Sequence, residues 1–291
     1  MEQRKSLLYG ALGLALLFGA IWLFAHPSVP VDAELPTSQA AIDRGAYLVI
    51  AGGCISCHRG EEEAETLSGG LGLETDFGTF YAPNITPDIE SGIGKWDAQD
   101  FLLALQHGRT PSGNYYYPVF PYRAYAGLTQ QDVLDIGAYL MSLEPVSYQA
   151  PAAQTPFWLA RWTVFGWKLL ADFSQPAAEH FDDGLLARGA YLARNLGHCS
   201  ECHTPRNGLG IPDLSREYAG AELGEETIEA IDAEALQAWT TNNFDLFLLI
   251  GLKPDGEFAG GDMNEVIEHN TSKLTDQDRD ALAAYFTRHN Q

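Results

Sequence analysis

Arg44-Gly45-Ala46-Tyr47-Leu48, followed by Cys54-Ile55-Ser56-Cys57-His58, decides the fold, because the chain carries this pairing twice. Arg188-Gly189-Ala190-Tyr191-Leu192 repeats the first pentapeptide letter for letter, and Cys199-Ser200-Glu201-Cys202-His203 repeats the pattern of the second. Further on, Trp96, Phe101, Leu105, Gly108, Pro111 and Gly113 recur as Trp239, Phe244, Leu248, Gly251, Pro254 and Gly256, all at one offset of 143 residues. Both copies also close alike: Leu128-Thr129-Gln130-Gln131-Asp132 leads into Ala138-Tyr139-Leu140, and Leu274-Thr275-Asp276-Gln277-Asp278 into Ala284-Tyr285-Phe286. Self-similarity of this kind means one structural unit used twice.

Each copy reads as helix, CxxCH, glycine-rich loops, middle helix, loop and final helix. Thr129 and Thr275 are the expected N-caps of the final helices, with Asp132 and Asp278 placed as in a capping box. Val133, Ile136 and Leu140 recur at spacings of three and four, the signature of one buried helix face. Strand signal is weak, so the expected class is all-α. The expected divisions are a membrane anchor over 1–26, an extended linker over 27–40, a first domain over 41–145, a linker helix over 146–184 and a second domain over 185–291. The linker holds Trp158, Trp162, Phe165 and Trp167 with only Arg161 and Lys168 as cations, which favours packing between domains over a membrane-surface contact.

The two CxxCH motifs use all four cysteines of the chain. Thiols three residues apart lie on one side of a helical turn and can add to the two vinyl groups of one haem. The histidine that follows is then held under the iron as proximal ligand. A zinc site would need two further ligands per motif, or the two motifs brought together, and a thioredoxin-like dithiol needs a βαβ context that is absent. Cys54, Cys57 and His58, and again Cys199, Cys202 and His203, are therefore the expected attachment sites of two covalent haem c groups. Of the three methionines, Met263 is expected in a loop after Gly260-Gly261, shortly before the last helix, where a thioether can cap the second iron. The same offset carried back from Met263 lands on Phe120, which has no donor atom. For the first iron three states stay open: five-coordinate, ligated by His107, or ligated by another residue, with Lys95 and Tyr115 to Tyr117 as weaker candidates. Met141 sits inside the final helix and reads as core.

The formal net charge of −22 argues against nucleic acid and favours basic partner proteins. Glu61 to Glu65 and Glu222 to Glu234 are acidic groups that read first as solvated faces and second as docking surfaces. At the start of the chain, Arg4 and Lys5 precede an uncharged apolar run from Leu7 to Ala25. As a helix that run reaches about 28 Å, close to the thickness of a bilayer core. It is long for a signal peptide, and no small-x-small site follows Trp22-Leu23-Phe24. A single N-terminal transmembrane helix is thus expected. Basic residues before it and Asp32 and Glu34 after it predict the inner membrane with the body in the periplasm.

Ala82-Pro83-Asn84-Ile85-Thr86-Pro87-Asp88, Gly92-Ile93-Gly94-Lys95-Trp96, Tyr117-Pro118, Pro121-Tyr122 and the segment His198 to Asn207 resemble the multihaem cytochrome c subunits of periplasmic alcohol and sugar-acid dehydrogenases. The likeness covers about residues 40 to 290. It implies tandem all-α class I cytochrome c domains, haem attachment after export, electron passage towards the respiratory chain, and Met263 as a distal ligand. The chain departs from that family in having two motifs where three are usual, in its N-terminal anchor, and in Phe120 where a ligand methionine usually stands. The expected function is single-electron transfer without catalysis of its own, between a dehydrogenase subunit, a soluble cytochrome or a respiratory complex. The rival expectation is a haem enzyme that converts a small ligand at an open first iron, assisted by His107 or Arg109.

Overall fold

The structure, a computed structural model, describes Tyr9, Val29 and residues 32–60, 66–159, 163–172, 180–224 and 226–290. By their contacts Met1–Ala33 form one unit and Glu34–Gln291 another, and both copies of the repeat lie in the second.

Helix α1, Gln39–Ala51, starts where the Ser38 hydroxyl accepts from the Ala41 amide, and carries RGAYL in its middle. Helix α2, Cys54–His58, is the first CxxCH turn. An antiparallel hairpin follows, β1 Gly72–Thr75 with β2 Gly78–Tyr81. Helix α3, Ala98–His107, opens with a capping box between Asp97 and Asp100 and ends where Gly108 turns left-handed. Helix α4, Tyr122–Tyr125, leads into α5, Gln130–Ser142. Between the copies lies α6, Thr163–Asp172. The second copy then runs α7, Gly184–Tyr191, with a π-helical continuation over Leu192–Leu196, and α8, Ser200–His203. A second hairpin, β3 Ala221–Leu223 with β4 Glu226–Ile228, precedes α9, Thr241–Ile250. Helices α10, Asp262–His269, and α11, Asp276–Thr287, complete it.

In each copy the first helix crosses the last at the glycine of RGAYL. A Cβ at Gly45 would stand 1.9 Å from the Asp135 carbonyl oxygen, and one at Gly189 would stand 2.1 Å from that of Ala281. Only glycine lets the two backbones meet this closely, which is why the repeat spells it in both places. Val133, Ile136 and Leu140 are buried on the inner face of α5, together with Phe101 and Leu102 of α3. Burial of each such side chain contributes about 1.5–3 kcal/mol.

The tyrosine of RGAYL does something the sequence did not suggest. Tyr47 of the first copy donates to Asp278 Oδ2 at 2.6 Å and accepts from the Thr275 amide at 3.3 Å. Tyr191 of the second copy donates to Asp132 and accepts from the Thr129 amide at 3.2 Å. The threonine half of each expected capping box is present, since Thr129 Oγ1 accepts from Asp132 N at 3.1 Å and Thr275 Oγ1 from Asp278 N at 3.3 Å. The cap amides, however, go to a tyrosine of the opposite copy. Each final helix is closed by the other half of the molecule.

Two expectations are overturned. The all-α class gives way to a mainly helical fold with two small antiparallel hairpins. Strands of three or four residues are too short to show an alternating pattern. The first is held by its turn, where Thr75 Oγ1 accepts from Phe77 N at 3.1 Å and donates to Gly78 O at 2.8 Å, rather than by propensity. The N-terminal transmembrane helix, and the inner-membrane location with a periplasmic body argued from it, are not supported. Among the described residues no helix is long and apolar enough to cross a membrane. The longest, α1 and α5, have 13 residues, about 20 Å of rise against a ~30 Å hydrocarbon core. The expected anchor over 1–26 lies, apart from Tyr9, outside the described residues.

Candidate functional site

The first motif is set up by Gly53, whose left-handed backbone (φ 63°) starts α2 immediately after α1. One turn of helix then presents Cys54 and Cys57 together and ends at His58. The His58 ring is not free to rotate, because its Nδ1 lies 2.8 Å from the Pro83 carbonyl oxygen. That carbonyl is itself held by the next residue. Asn84 is buried, donates to Val146 O at 2.7 Å and accepts from Thr86 N at 2.9 Å. The Ala82-Pro83-Asn84 segment leaves β2 at this point, so the hairpin delivers the acceptor.

The second motif repeats the device. His203 Nδ1 lies 2.7 Å from the Glu229 carbonyl oxygen, one residue beyond β4. Lys253 steadies that segment through an ion pair with the Glu229 carboxylate at 2.7 Å. A carbonyl oxygen cannot donate, so the ring nitrogen facing it carries the proton: both rings hold theirs on Nδ1 and leave Nε2 as the lone-pair donor. Burial pushes the pKa of both histidines down, against an opposing pull from these carbonyls. Burial thus favours the neutral imidazole that an iron ligand requires.

All four cysteines are free of disulfides. Burial raises the thiols: Cys54 and Cys199 to about 12, Cys202 to about 11, and Cys57 in the same direction. Cys202 is exposed at its surface, yet enough protein crowds its sulfur to disfavour the thiolate. Chelation of a bare metal ion takes thiolates, which this burial disfavours. Among the described residues no cluster of His, Cys, Asp and Glu is arranged to hold a bare metal ion. Two thiols and one fixed imidazole at each motif match the donor set of a covalently bound haem.

The remaining candidates fall in different places. Met263 stands in the first turn of α10 rather than in a loop, half-buried. On the same helix Glu265 reaches into the first copy and pairs with Arg59 at 2.7 Å. Phe120 packs its ring against Tyr116 at 5.3 Å and Tyr125 at 5.7 Å. His107 ends α3 and lines a cleft of about 370 Å³ with Tyr122, Arg123, Lys168 and Asp172. Burial lowers its pKa, and Lys168 and Arg109 lower it further. Lys95 is exposed beside Glu90, Tyr115 packs on Phe165 at 5.7 Å, and Tyr117 donates to Leu159 O. In the linker, Trp167 donates to Leu209 O at 2.7 Å, whereas Phe157 is 95% exposed. Sequence reasoning missed the two carbonyls that orient the histidines. The Pro83-Asn84 segment was visible as a motif, but no residue type advertises a backbone acceptor.

Comparison with known proteins agrees with this chemistry. The family model described as Cytochrome c matches residues 42–144. A diheme cytochrome c-type protein of Cereibacter sphaeroides is 44% identical over 98% of both chains. The fructose dehydrogenase cytochrome subunit of Gluconobacter japonicus is 35% identical over 98% of this chain and 60% of its own length. The gluconate 2-dehydrogenase cytochrome c subunit of Pantoea cypripedii is 34% identical over 94% of this chain and 63% of its own. The chain thus spans about three fifths of those two dehydrogenase subunits and nearly the whole of the diheme relative. With fixed neutral imidazoles, paired thiols and a full-length relative all agreeing, the chain belongs to the cytochrome c family, whose members hold covalent haem c and transfer electrons.

Proposed function

We propose that the chain carries two haem c groups and relays single electrons from a dehydrogenase to a further redox protein. One haem is held by Cys54 and Cys57 with His58 as proximal ligand. The other is held by Cys199 and Cys202 with His203, and Met263 supplies its distal ligand. Residues 41–145 and 185–291 are then two haem-binding domains joined by 146–184. The observation that carries this reading is the matched imidazole–carbonyl contact, His58 to Pro83 and His203 to Glu229, at equivalent places in the two copies.

When bound, haem c supplies a one-electron iron couple. The protein's own part is to anchor and orient. The thiols tether, the carbonyls fix ring and tautomer, and a hydrogen bond from Nδ1 raises the basicity of Nε2. The dehydrogenase partner is supported by relatives described as cytochrome subunits of fructose, gluconate and alcohol dehydrogenases. The net charge of −22 favours a basic docking face on the partner, with association that weakens as salt rises.

The intact mass of the holoprotein tests the haem count. Two covalent haem increments are expected, and the double variant Cys199→Ser, Cys202→Ser should keep one. A wild-type mass with a single increment would overturn the two-haem reading.

A further inference from the structure

The segments that lead into the two motifs lie against each other. A Cβ on Gly52 would come 3.5 Å from Leu196 Cδ1 and 3.7 Å from Cys54 Sγ. One on Gly197 would come 3.8 Å from the Ala51 carbonyl oxygen and 3.8 Å from Cys199 Sγ. Tyr125, buried in α4, donates its hydroxyl to the Gly52 carbonyl at 3.1 Å. His198, the residue before Cys199, lays its imidazole against the Tyr125 ring. The two rings meet nearly at right angles, with centroids 5.5 Å apart. His198 also holds a left-handed backbone (φ 40°), a conformation unusual for a residue with a Cβ. Strain of this kind persists where the surroundings over-determine it, and it gathers at functional positions.

We infer that Tyr125 and His198 bridge the two attachment segments and set the rate at which an electron crosses between the haems. This rests on the two-haem reading above. The connection runs by covalent bonds from Cys54 through Gly53 to Gly52, by one hydrogen bond to the Tyr125 hydroxyl, across the ring contact to His198, and by one peptide unit to Cys199. One ferrous iron is oxidised as one ferric iron is reduced, and no proton or further reactant is involved. A purely structural role explains less. The copies are already locked together by Tyr47 and Tyr191, and neither of those hydroxyls bonds the segments next to the cysteines.

The test uses the full-length holoprotein, reduced by a flash-generated one-electron ruthenium reductant, with inter-haem equilibration followed by absorbance. His198→Ala should slow equilibration several-fold, and His198→Phe, which restores a ring against Tyr125, should recover part of the rate. Tyr125→Phe, which loses only a hydroxyl, should give a smaller slowing and carries the test if His198→Ala does not fold. Tyr47→Phe should lower stability and leave the rate alone. A potentiometric titration should give two unshifted midpoints in each variant, so that a slower rate reflects coupling rather than driving force. Unchanged rates in Tyr125→Phe and His198→Ala, or an equal slowing in Tyr47→Phe, would overturn the bridge while leaving two haems in the mass spectrum. A single haem in the mass spectrum would overturn the two-haem reading and the bridge together.

Discussion

Beside His58 the fixing carbonyl belongs to Pro83, and beside His203 it belongs to Glu229, at 2.8 and 2.7 Å. These arrangements survived duplication with different residues, because a backbone oxygen is supplied by any side chain. Away from the histidines the copies have diverged. Where the second has the thioether of Met263, the first has the hydrocarbon ring of Phe120 inside an aromatic cluster. The arginines of RGAYL have diverged as well. Arg44 reaches Asp135, a carboxylate buried within α5, at 2.7 Å. In α11 the matching position is Ala281, and Arg188 pairs instead with Asp278 at 2.7 Å. Asp278 thus receives both Arg188 and Tyr47, whereas its counterpart Asp132 receives Tyr191. The duplicated scaffold keeps the backbone acceptor beside each histidine and the crossed tyrosine of RGAYL, and exchanges the partners of the arginine.

The largest expected effect breaks the difference between the irons. Met263→Ala should let the reduced protein bind one more carbon monoxide per chain than wild type, with a lower midpoint potential for that haem, because a thioether raises the potential. Identical carbon monoxide uptake in variant and wild type would remove Met263 as the ligand.

The next prediction probes what the copies share. Gly45→Ala and Gly189→Ala each force a Cβ onto a backbone carbonyl that cannot swing aside. Each should cost about 1–3 kcal/mol, the usual range for overpacking. Urea unfolding of the two variants measures it, and a tolerated substitution at one site alone would show that only one crossing is tight.

The smallest effect separates the two aspartates. Burial acts to raise the pKa of Asp278, but hydrogen bonds from Arg188 and Tyr47 outweigh it and leave the carboxyl below its ordinary value. A depressed folded-state pKa gives stability that is complete above the unfolded value, about 3.9, and is lost as pH falls through the folded one. The stability gap between wild type and Asp278→Asn should therefore be constant near neutrality and shrink below about pH 4. A gap that does not change with pH would mean that the charge of Asp278 contributes nothing.

Much of this was legible from residues. The repeat, the CxxCH turns, the threonine caps and the buried stripe of Val133, Ile136 and Leu140 all follow from local spacing, and the structure has them. The parts that were not legible are non-local. No window of sequence around Thr129 contains Tyr191, which lies 62 residues away, so the capping box looked complete with the wrong partner. The hairpins were missed because strands of three and four residues have no period to detect. That omission mattered, since the hairpins carry the two carbonyls that orient the histidines. The N-terminal span was argued from length, hydropathy, flanking charge and the lack of a cleavage site, and no described helix supports it.

The exchanged tyrosines also bear on how the protein is made. During synthesis α5 is complete long before Tyr191 leaves the ribosome. Until then the Thr129 amide and the Asp132 carboxylate lack the Tyr191 hydroxyl. That closing contact of the earlier half therefore waits for the later one, even though amino-terminal regions usually fold first. A nascent chain cut short anywhere before residue 191 lacks that closure and leaves the start of α5 an open helix end.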